Sequence, residues 1–407
     1  MNLKFWKKDK SKKKPAWREW LDAGVFAIIA ATIIRTFFIE AYTIPSGSME
    51  GTLQVNDYLF VSKLAYGPRL PNTPLSVPLV HNTFLGGKSY SEAVQWKYKR
   101  LPGFGKVQRY DVVVFNFPNN DTVVLEDPAQ DYYQYVRMMG RDAVWNQFHV
   151  ITRPIDKKEN YIKRCVGLPS DVIEVRDGIL FNNNKPAEMF AHQRTHYLVE
   201  GTTPLSLDFM EENFVTPTGY QGPPNQAVYE MEHSVAEKVK QISGVTSVKP
   251  YLLFPKAYVE NPNAQTYPYD TVHYKWNMDN FGPLTIPSKG ATVTLTPENI
   301  ALYERVIKTY EDNPTFKVVD NKYYIDNKEI TTYTFKQDYY WMMGDNRHGS
   351  LDSRAWGFVP EDHIVGKASF VWFSSGSDGP GGSSPNVYNK GKIKWNRILR
   401  SVKSLQN

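Results

Sequence analysis

The longest run of apolar positions in the chain lies near its N-terminus and predicts a helix that crosses a membrane. This run, LDAGVFAIIAATIIRTFFI, extends from Leu21 to Ile39. At about 1.5 Å per residue, a helix of this length reaches roughly 28 Å, close to the hydrocarbon thickness of a bilayer. Arg35 lies near enough to one end for its side chain to reach the polar interface. The alternatives are a buried helix of a soluble domain and a cleaved signal peptide, although no small-x-small pair follows Ile39.

Beyond this run, short β-branched and aromatic stretches alternate with turn residues, a pattern typical of strands. The clearest stretch is DVVVFNFP at 111–118, and 160–187 is predicted to form three strands joined by tight turns. A similar hairpin pattern recurs at 318–335. The pattern favours a mainly β protein, with helices predicted at 91–98, 131–147, 226–242 and 297–312.

A change in composition divides the chain that follows the apolar run. The segment 187–318 is richer in Pro, Asn and Tyr than its flanks, and we interpret it as an α+β insertion of unknown role within an all-β body. A Gly- and Ser-rich linker at 379–385 precedes a basic amphipathic segment, which could lie on a membrane or pack on the body. The predicted division is a basic tail at 1–20, a membrane anchor at 21–40, a β body at 41–186 and 319–375, the insertion at 187–318, and a linker with a basic tail at 376–407.

Charge and composition refine this picture. The net charge is +6, but residues 1–18 hold seven Lys and one Arg against one Asp, so the rest of the chain is nearly neutral. No nucleic-acid partner is therefore expected. Basic residues before a span favour a cytoplasmic N-terminus, with the remainder on the outer side of the plasma membrane.

Cys165 is the single cysteine, which excludes an intrachain disulfide and a cysteine-based metal site. The sequence does not indicate an oligomeric state.

A serine-rich turn follows the apolar run closely. Ser48, in IPSGSMEGTL, is nine residues past Ile39, so it lies within about 30 Å of the membrane surface. A serine hydroxyl needs a base to act as a nucleophile. His348, Lys163 and Lys63 are the candidate bases, and the alternative is an ordinary Ser-Gly turn.

A lysine base has to be largely neutral near pH 7, although the usual pKa of its amine is about 10.4. Burial among apolar groups lowers that pKa by up to about 3 units. Lys163 fits this requirement because Tyr161, Val166 and Leu168 surround it in an apolar strand. A lysine that leaves a strand edge into water is the structural alternative.

The stretch GDNRHGSLDSRAWGFVP, at 344–360, combines acids, arginines and glycines. Asp345, Asp352, Arg347 and Arg354 could form bidentate pairs that hold a site rigid. His192 and His196 have an i,i+4 spacing but lack the His-Glu-x-x-His form, so no metal is expected. No phosphate-binding loop or dinucleotide motif is present in the sequence, and no cofactor is predicted.

Taken in order, four motifs resemble those of bacterial type I signal peptidases, also called leader peptidases. They are IPSGSMEGTL, RYDVVVFNFP, YIKRCVGLPSD and GDNRHGSLDSRAWGFVP. The resemblance covers about 60 residues and leaves out 187–318. It implies an all-β fold, no metal or cofactor, and a membrane-anchored serine endopeptidase that removes signal peptides from exported preproteins.

The resemblance also implies residue roles. Ser48 would be the nucleophile and Lys163 its general base, while Ser46 and the backbone N–H of Ser48 would form the oxyanion hole. Ser350 would orient Lys163. Asp345, Asp352 and Arg354 would support the site.

This sequence departs from the family pattern at several positions. Gly51 replaces a usual Pro and predicts a more flexible turn after Ser48. Tyr110 stands where the family has Gly, and Ser170 lies in place of the usual Pro-Gly pattern. Two other hypotheses remain: a non-catalytic anchored β-domain that binds envelope proteins, and a Ser-His-Asp hydrolase that uses His348.

Overall fold

A computed structural model describes residues 15–128, 130–190, 192–252, 266–376 and 392–406. The basic residues 1–14 and the predicted linker at 379–385 lie outside the described residues. Within the described residues 32% are in strands and 23% in helices, so the predicted mainly β fold class is confirmed.

Short strands make up most of the regular structure, and the longest helix lies at the N-terminal end of the described chain. The helices are α1 (Ala16–Phe37), α2 (Tyr132–Met139), α3 (Arg141–Gln147), α4 (Leu207–Glu212), α5 (His233–Val239), α6 (Ile300–Arg305) and α7 (Ser353–Trp356). The strands are β1 (Ile39–Thr43), β2 (Asp57–Ser62), β3 (Thr83–Phe84), β4 (Gly87–Lys88), β5 (Val112–Asn116), β6 (Thr122–Val124), β7 (Val150–Thr152), β8 (Asn160–Gly167), β9 (Val172–Arg176), β10 (Ile179–Asn182), β11 (Lys185–Pro186), β12 (Arg194–Gly201), β13 (Thr216–Pro217), β14 (Gln226–Glu232), β15 (Val245–Pro250), β16 (Phe281–Thr285), β17 (Thr292–Thr294), β18 (Lys317–Val319), β19 (Lys322–Ile325), β20 (Lys328–Ile330), β21 (Thr332–Thr334), β22 (Tyr339–Met343), β23 (Val359–Pro360), β24 (Ile364–Ser374) and β25 (Arg400–Ser401).

The largest sheet has the strand order β1-β2-β24-β5-β8-β22-β23, and β25 pairs with β24. Every pairing in it is antiparallel. Strand β5 is buried at all five positions, which explains why its sequence is a continuous β-branched run rather than an alternating one. This sheet brings segments from both ends of the chain together at one site.

Helix α1 is long and apolar enough to cross a membrane, and none of its residues is buried in the protein. It ends at Phe37, two residues earlier than the apolar run. Ile39 and Glu40 instead begin β1, where they pair with Ser62 and Val61. The helix therefore continues almost directly into the largest sheet.

The middle of the chain contains two kinds of structure. Strands β12 to β15 form a separate four-stranded sheet that packs with α4 and α5 around its own core. In contrast, β16 pairs with β9, and residues 300–310 share a core with Trp341 and Phe358. The division at 187 and 318 remains a prediction, but residues 281–310 pack with the strands that flank it.

Several local predictions were wrong. Residues 91–98 form bends and irregular chain, and 131–147 is two helices separated at Gly140, whose φ is +83°. Residues 226–232 form β14 because they pair with β12 over seven positions, so tertiary pairing overrides the helical pattern there. Only 233–239 of that region is helical.

The C-terminal segment packs on the body. Val402 is buried in the same core as Met49 and Leu53. Arg397 forms an ion pair with the fully buried Asp57, with 2.5 Å between Nη2 and Oδ2. This segment therefore supports the turn that carries Ser48.

Candidate active site

Ser48 lies in a single 3-10 turn, Gly47–Met49, shortly after strand β1. Met49 and Leu53 are fully buried and fix the turn to the core of the largest sheet. Ser48 itself is only 8% exposed. Its hydroxyl is therefore held in one place, at the end of a short connection from α1.

Lys163 lies opposite this turn, on strand β8. It pairs with Val113 of the buried strand β5 and is 4% exposed. Its Nζ is 2.6 Å from Ser48 Oγ and 3.1 Å from the carbonyl oxygen of Ile162. The structure thus brings together the two residues that the sequence predicted as nucleophile and base, although they are 115 positions apart.

Burial lowers the pKa of the Lys163 amine to about 8. The carboxylates of Asp352 and Asp345 act in the opposite direction, because a nearby negative charge favours the ammonium form. Desolvation is the larger effect, so the amine gives up its proton far more readily than an exposed lysine would. A base with this pKa is suited to accept a proton from a hydroxyl near neutral pH.

The other two candidate bases have different partners. His348 Nε2 is 2.7 Å from a carboxylate oxygen of Asp279, and its Nδ1 is 3.3 Å from Thr195 Oγ1. Lys63 forms an ion pair of 2.9 Å with Glu40. Of the three candidates, Lys163 is the one that contacts Ser48.

Ser46 and Ser350, the two serines predicted to assist Ser48 and Lys163, differ in their contacts. Ser46 Oγ is 3.5 Å from Ser48 Oγ, on the same turn. Ser350 is buried, and its hydroxyl has no hydrogen-bond partner within the described part of the chain. Ser350 packs against Gly344, where an added Cβ would come within 2.3 Å of Ser350 Oγ and 2.4 Å of the Ser48 carbonyl oxygen. Its orienting role therefore stays a prediction.

An ion pair beneath the site was not predicted. Arg164, next to Lys163, donates two hydrogen bonds to Asp345, of 2.7 Å from Nε and 2.6 Å from Nη2. The same guanidinium donates to Thr52 Oγ1 and to the carbonyl oxygen of Tyr110. Because the Arg164 side chain is 0% and that of Asp345 1% exposed, this pair joins the Ser48 turn, strand β8 and the loop after β22 in a dry environment.

Asp352 and Arg354 pair with each other, as predicted for the loop at 344–360. Arg354 donates from Nε and Nη2 to the two carboxylate oxygens of Asp352, at 2.9 and 2.8 Å. The backbone N–H of Gly344 also donates to Asp352. Among the described residues Arg347 forms no ion pair with an acid; it donates to Gln193 Oε1 instead. The loop contacts Ser48 directly, since the N–H of Asn346 donates to the Ser48 carbonyl oxygen at 3.2 Å.

The departures from the family pattern have a backbone explanation. Gly51 has a φ of +102°, and an added Cβ would lie 1.8 Å from the His192 carbonyl oxygen. Proline, whose ring fixes φ near −65°, could not adopt this conformation. Gly51 therefore permits a close contact with the middle segment instead of loosening the turn. Tyr110 and Ser170, where glycine is usual, both keep positive φ values, of +73° and +72°.

The two histidines with i,i+4 spacing contact separate acids. His192 Nδ1 is 3.0 Å from Glu232, and His196 Nε2 is 3.8 Å from Glu230. Within the described ranges, no group of three or more His, Cys, Asp or Glu side chains is placed to hold a metal ion.

A hydroxyl against a buried amine, on a β body that follows an apolar helix, is the arrangement of a membrane-anchored serine endopeptidase. The model of a family described as signal peptidase, peptidase S26, matches residues 17–236 and 285–373. The chain belongs to this family. The prediction of a bacterial type I signal peptidase, a serine endopeptidase that removes signal peptides from preproteins, is confirmed.

Curated relatives agree with this assignment. Signal peptidase I of Haemophilus influenzae is 25% identical over 357 residues, which is 86% of this chain and 68% of that protein. Signal peptidase I of Buchnera aphidicola from Acyrthosiphon pisum is 24% identical, covering 90% of this chain and 78% of the relative. The Rickettsia typhi protein of the same name is 23% identical, covering 90% and 84%.

Proposed function

We propose that Ser48 and Lys163 form the catalytic pair of this signal peptidase. The observation that carries this assignment is the 2.6 Å contact between Ser48 Oγ and the buried Lys163 Nζ. It combines a nucleophile with a base whose pKa, at about 8, is compatible with proton transfer near neutral pH.

The chemistry follows from this geometry. Ser48 Oγ attacks the carbonyl carbon of the scissile peptide bond while Lys163 Nζ takes the hydroxyl proton. Lys163 then returns that proton to the leaving amine, and an ester between Ser48 and the signal peptide remains. Water, deprotonated by the same amine, hydrolyses the ester and regenerates the hydroxyl. No metal or cofactor enters these steps.

The oxyanion that forms in each step needs hydrogen-bond donors. The Ser46 hydroxyl and the Ser48 backbone N–H are our candidates, because both belong to the turn that holds the nucleophile. Such a donor is typically worth about 3–4 kcal/mol of the barrier. Asp345, Asp352 and Arg354 act at a distance, by holding the loop that contacts the Ser48 carbonyl oxygen.

The location of the site suits a substrate that is itself anchored in lipid. Phe37 ends α1, and Ser48 follows only eleven positions later through β1. We infer that α1 spans the plasma membrane with the basic N-terminus in the cytoplasm, so that the site lies close to the outer surface. A signal peptide would present its cleavage site at that level. The division at 187 and 318 belongs to the same proposal, with the middle segment as an insertion of unknown role whose residues 281–310 pack against the body.

The test is cleavage of a preprotein by Ser48→Ala, Lys163→Ala and His348→Ala variants of the full chain in detergent micelles. We expect the first two to lose activity and the third to stay near the wild-type rate. Normal cleavage by Lys163→Ala would end the assignment of the base. Circular dichroism of each variant provides the folding control.

A further inference from the structure

A polar cavity of about 220 Å³ lies where α1 meets the body, away from Ser48. Thr32, Arg35 and Thr36 of the last turns of α1 form one wall. Lys63, which follows β2, and the loop from Arg69 to His81 contribute others. One water occupies about 30 Å³ in the liquid, so the cavity can hold a group larger than a single ion.

The charges around this cavity do not balance. Four cationic side chains line it, whereas the carboxylates number two, Glu40 and Asp156. Glu40 is shared between Arg35, at 2.7 Å, and Lys63, at 2.9 Å. Asp156 Oδ2 accepts hydrogen bonds from the backbone N–H and the hydroxyl of Thr73. The remaining cations are Arg69 and Lys157.

Lys157 carries the unbalanced charge most clearly. It is 6% exposed, yet its ammonium group has no ion pair or hydrogen bond with any residue that the structure describes. Its nearest aromatic contact is the ring of Tyr90, 5.1 Å from Nζ. Burial lowers its pKa; the nearby Asp156 opposes this, and the positive charge of Arg35 adds to it. Lys157 lines the cavity, so an anion bound there would supply the charged partner that its ammonium group lacks among the described side chains.

The surroundings of the cavity suit a location at the lipid surface. Arg35 Nη1 donates to the carbonyl oxygen of Leu79, which joins the cavity loop to the end of α1. Apolar side chains on this loop and on the following hairpin are exposed, with Leu75 at 54%, Phe84 at 46% and Leu85 at 92%. Such side chains are stable in the interfacial region of a bilayer, where phosphate groups also lie.

We propose that this cavity binds the phosphate of an anionic glycerophospholipid, with Lys157 and Arg35 as its main cationic contacts. The inference rests on the proposed placement of α1 in the bilayer. An anionic lipid fits better than a zwitterionic one, because Glu40 and Asp156 already have partners and do not supply a site for a choline or ethanolamine group. A free phosphate would not explain the exposed apolar side chains beside the cavity.

The bound lipid would join two parts of the chain. Its phosphate would contact α1 through Arg35, while Lys157 belongs to the turn that precedes β8, the strand of Lys163. The lipid would therefore fix the height of the body relative to the membrane. This role is separate from the chemistry, since none of the cavity residues contacts Ser48 or Lys163 among the hydrogen bonds of the described chain.

Native mass spectrometry of the full chain, released from nanodiscs of equal parts phosphatidylglycerol and phosphatidylcholine, tests the proposal. We expect wild type to retain phosphatidylglycerol selectively. Lys157→Gln should reduce the retained fraction about tenfold, as expected for the loss of one charged hydrogen bond. Lys157→Arg should preserve it, and Lys328→Gln, which removes an exposed lysine of β20, should leave it unchanged. Equal retention by Lys157→Gln and Lys328→Gln would overturn the proposal.

Two further measurements distinguish the ways in which the lipid proposal could be wrong. If glycerol 3-phosphate competes as effectively as the lipid, the ligand is a free phosphate and the lipid assignment is wrong. Flotation with vesicles tests the placement of α1, and failure of wild type to float would overturn that placement together with the lipid site. Preprotein cleavage in detergent tests the catalytic pair by itself, because that assay needs no bilayer.

Discussion

Replacement of Arg164 tests whether its buried ion pair with Asp345 stabilises the candidate active site. The Arg164 side chain is 0% exposed and makes two short hydrogen bonds to Asp345, which is 1% exposed. Arg164→Met would leave that carboxylate buried without a partner. Breaking a buried pair in this way typically costs about 3–5 kcal/mol, because the remaining charge keeps its desolvation penalty. We expect a loss of this size in the free energy of unfolding.

Urea unfolding of the full chain in non-ionic detergent, followed by tryptophan fluorescence, measures this loss. Arg176→Met is the matched control, since Arg176 pairs with Glu174 at 2.5 Å but is 44% exposed. Exposed pairs contribute about 0–1 kcal/mol. Arg164→Met combined with Asp345→Leu should recover part of the stability. If both single arginine variants lose less than about 1 kcal/mol, the reasoning about the buried pair is refuted.

Three other predictions concern the active site. With a Lys163 pKa of about 8, only about a tenth of the amine is neutral at pH 7. The value of kcat/KM should therefore fall roughly tenfold per pH unit below pH 7 and level off above about pH 9. An initial-rate profile that stays flat from pH 9 to 5 would contradict this. Gly51→Ala should lower kcat/KM at least about tenfold, because the new Cβ would collide with the His192 carbonyl oxygen. Gly290→Ala, also at positive φ but with open space around it, should leave cleavage unchanged. Equal rates for the two variants would refute the close contact between Gly51 and His192. Because the family resemblance gives Ser350 the role of orienting Lys163, Ser350→Ala should reduce kcat about tenfold with KM unchanged. The melting temperature should not fall, because the buried Ser350 hydroxyl lacks a hydrogen-bond partner within the described residues. An unchanged kcat would remove its orienting role.

The residues that we propose to carry the chemistry could be identified in the sequence because each lies in a short local motif. Ser48 lies nine residues past the apolar run, and Lys163 lies in an apolar strand, where desolvation of its amine was expected. The burial of Lys163 and its lowered pKa follow from that pattern. The contact between the two side chains required the resemblance as well, because nothing in a single sequence states which strand faces the serine turn.

Other features depend on partners that are distant in the chain. Arg164 was overlooked because its acid, Asp345, is 181 positions away. The strand β14 was assigned to a helix since its pairing with β12 cannot be read from local periodicity. Gly51 was expected to loosen the turn, whereas the approach of the His192 carbonyl group requires a residue without a Cβ. In each case a long-range contact decided the outcome.

Direct titration of the Lys163 amine tests the central claim that a desolvated amine accepts the Ser48 proton. NMR of the lysine side chains in the full chain, with Lys163→Arg used to assign the signal, reports the pKa without relying on turnover. We expect a pKa of about 8 for this amine. A value near 10.5, the ordinary value for lysine, would show that the amine stays charged at neutral pH and would contradict the proposed mechanism.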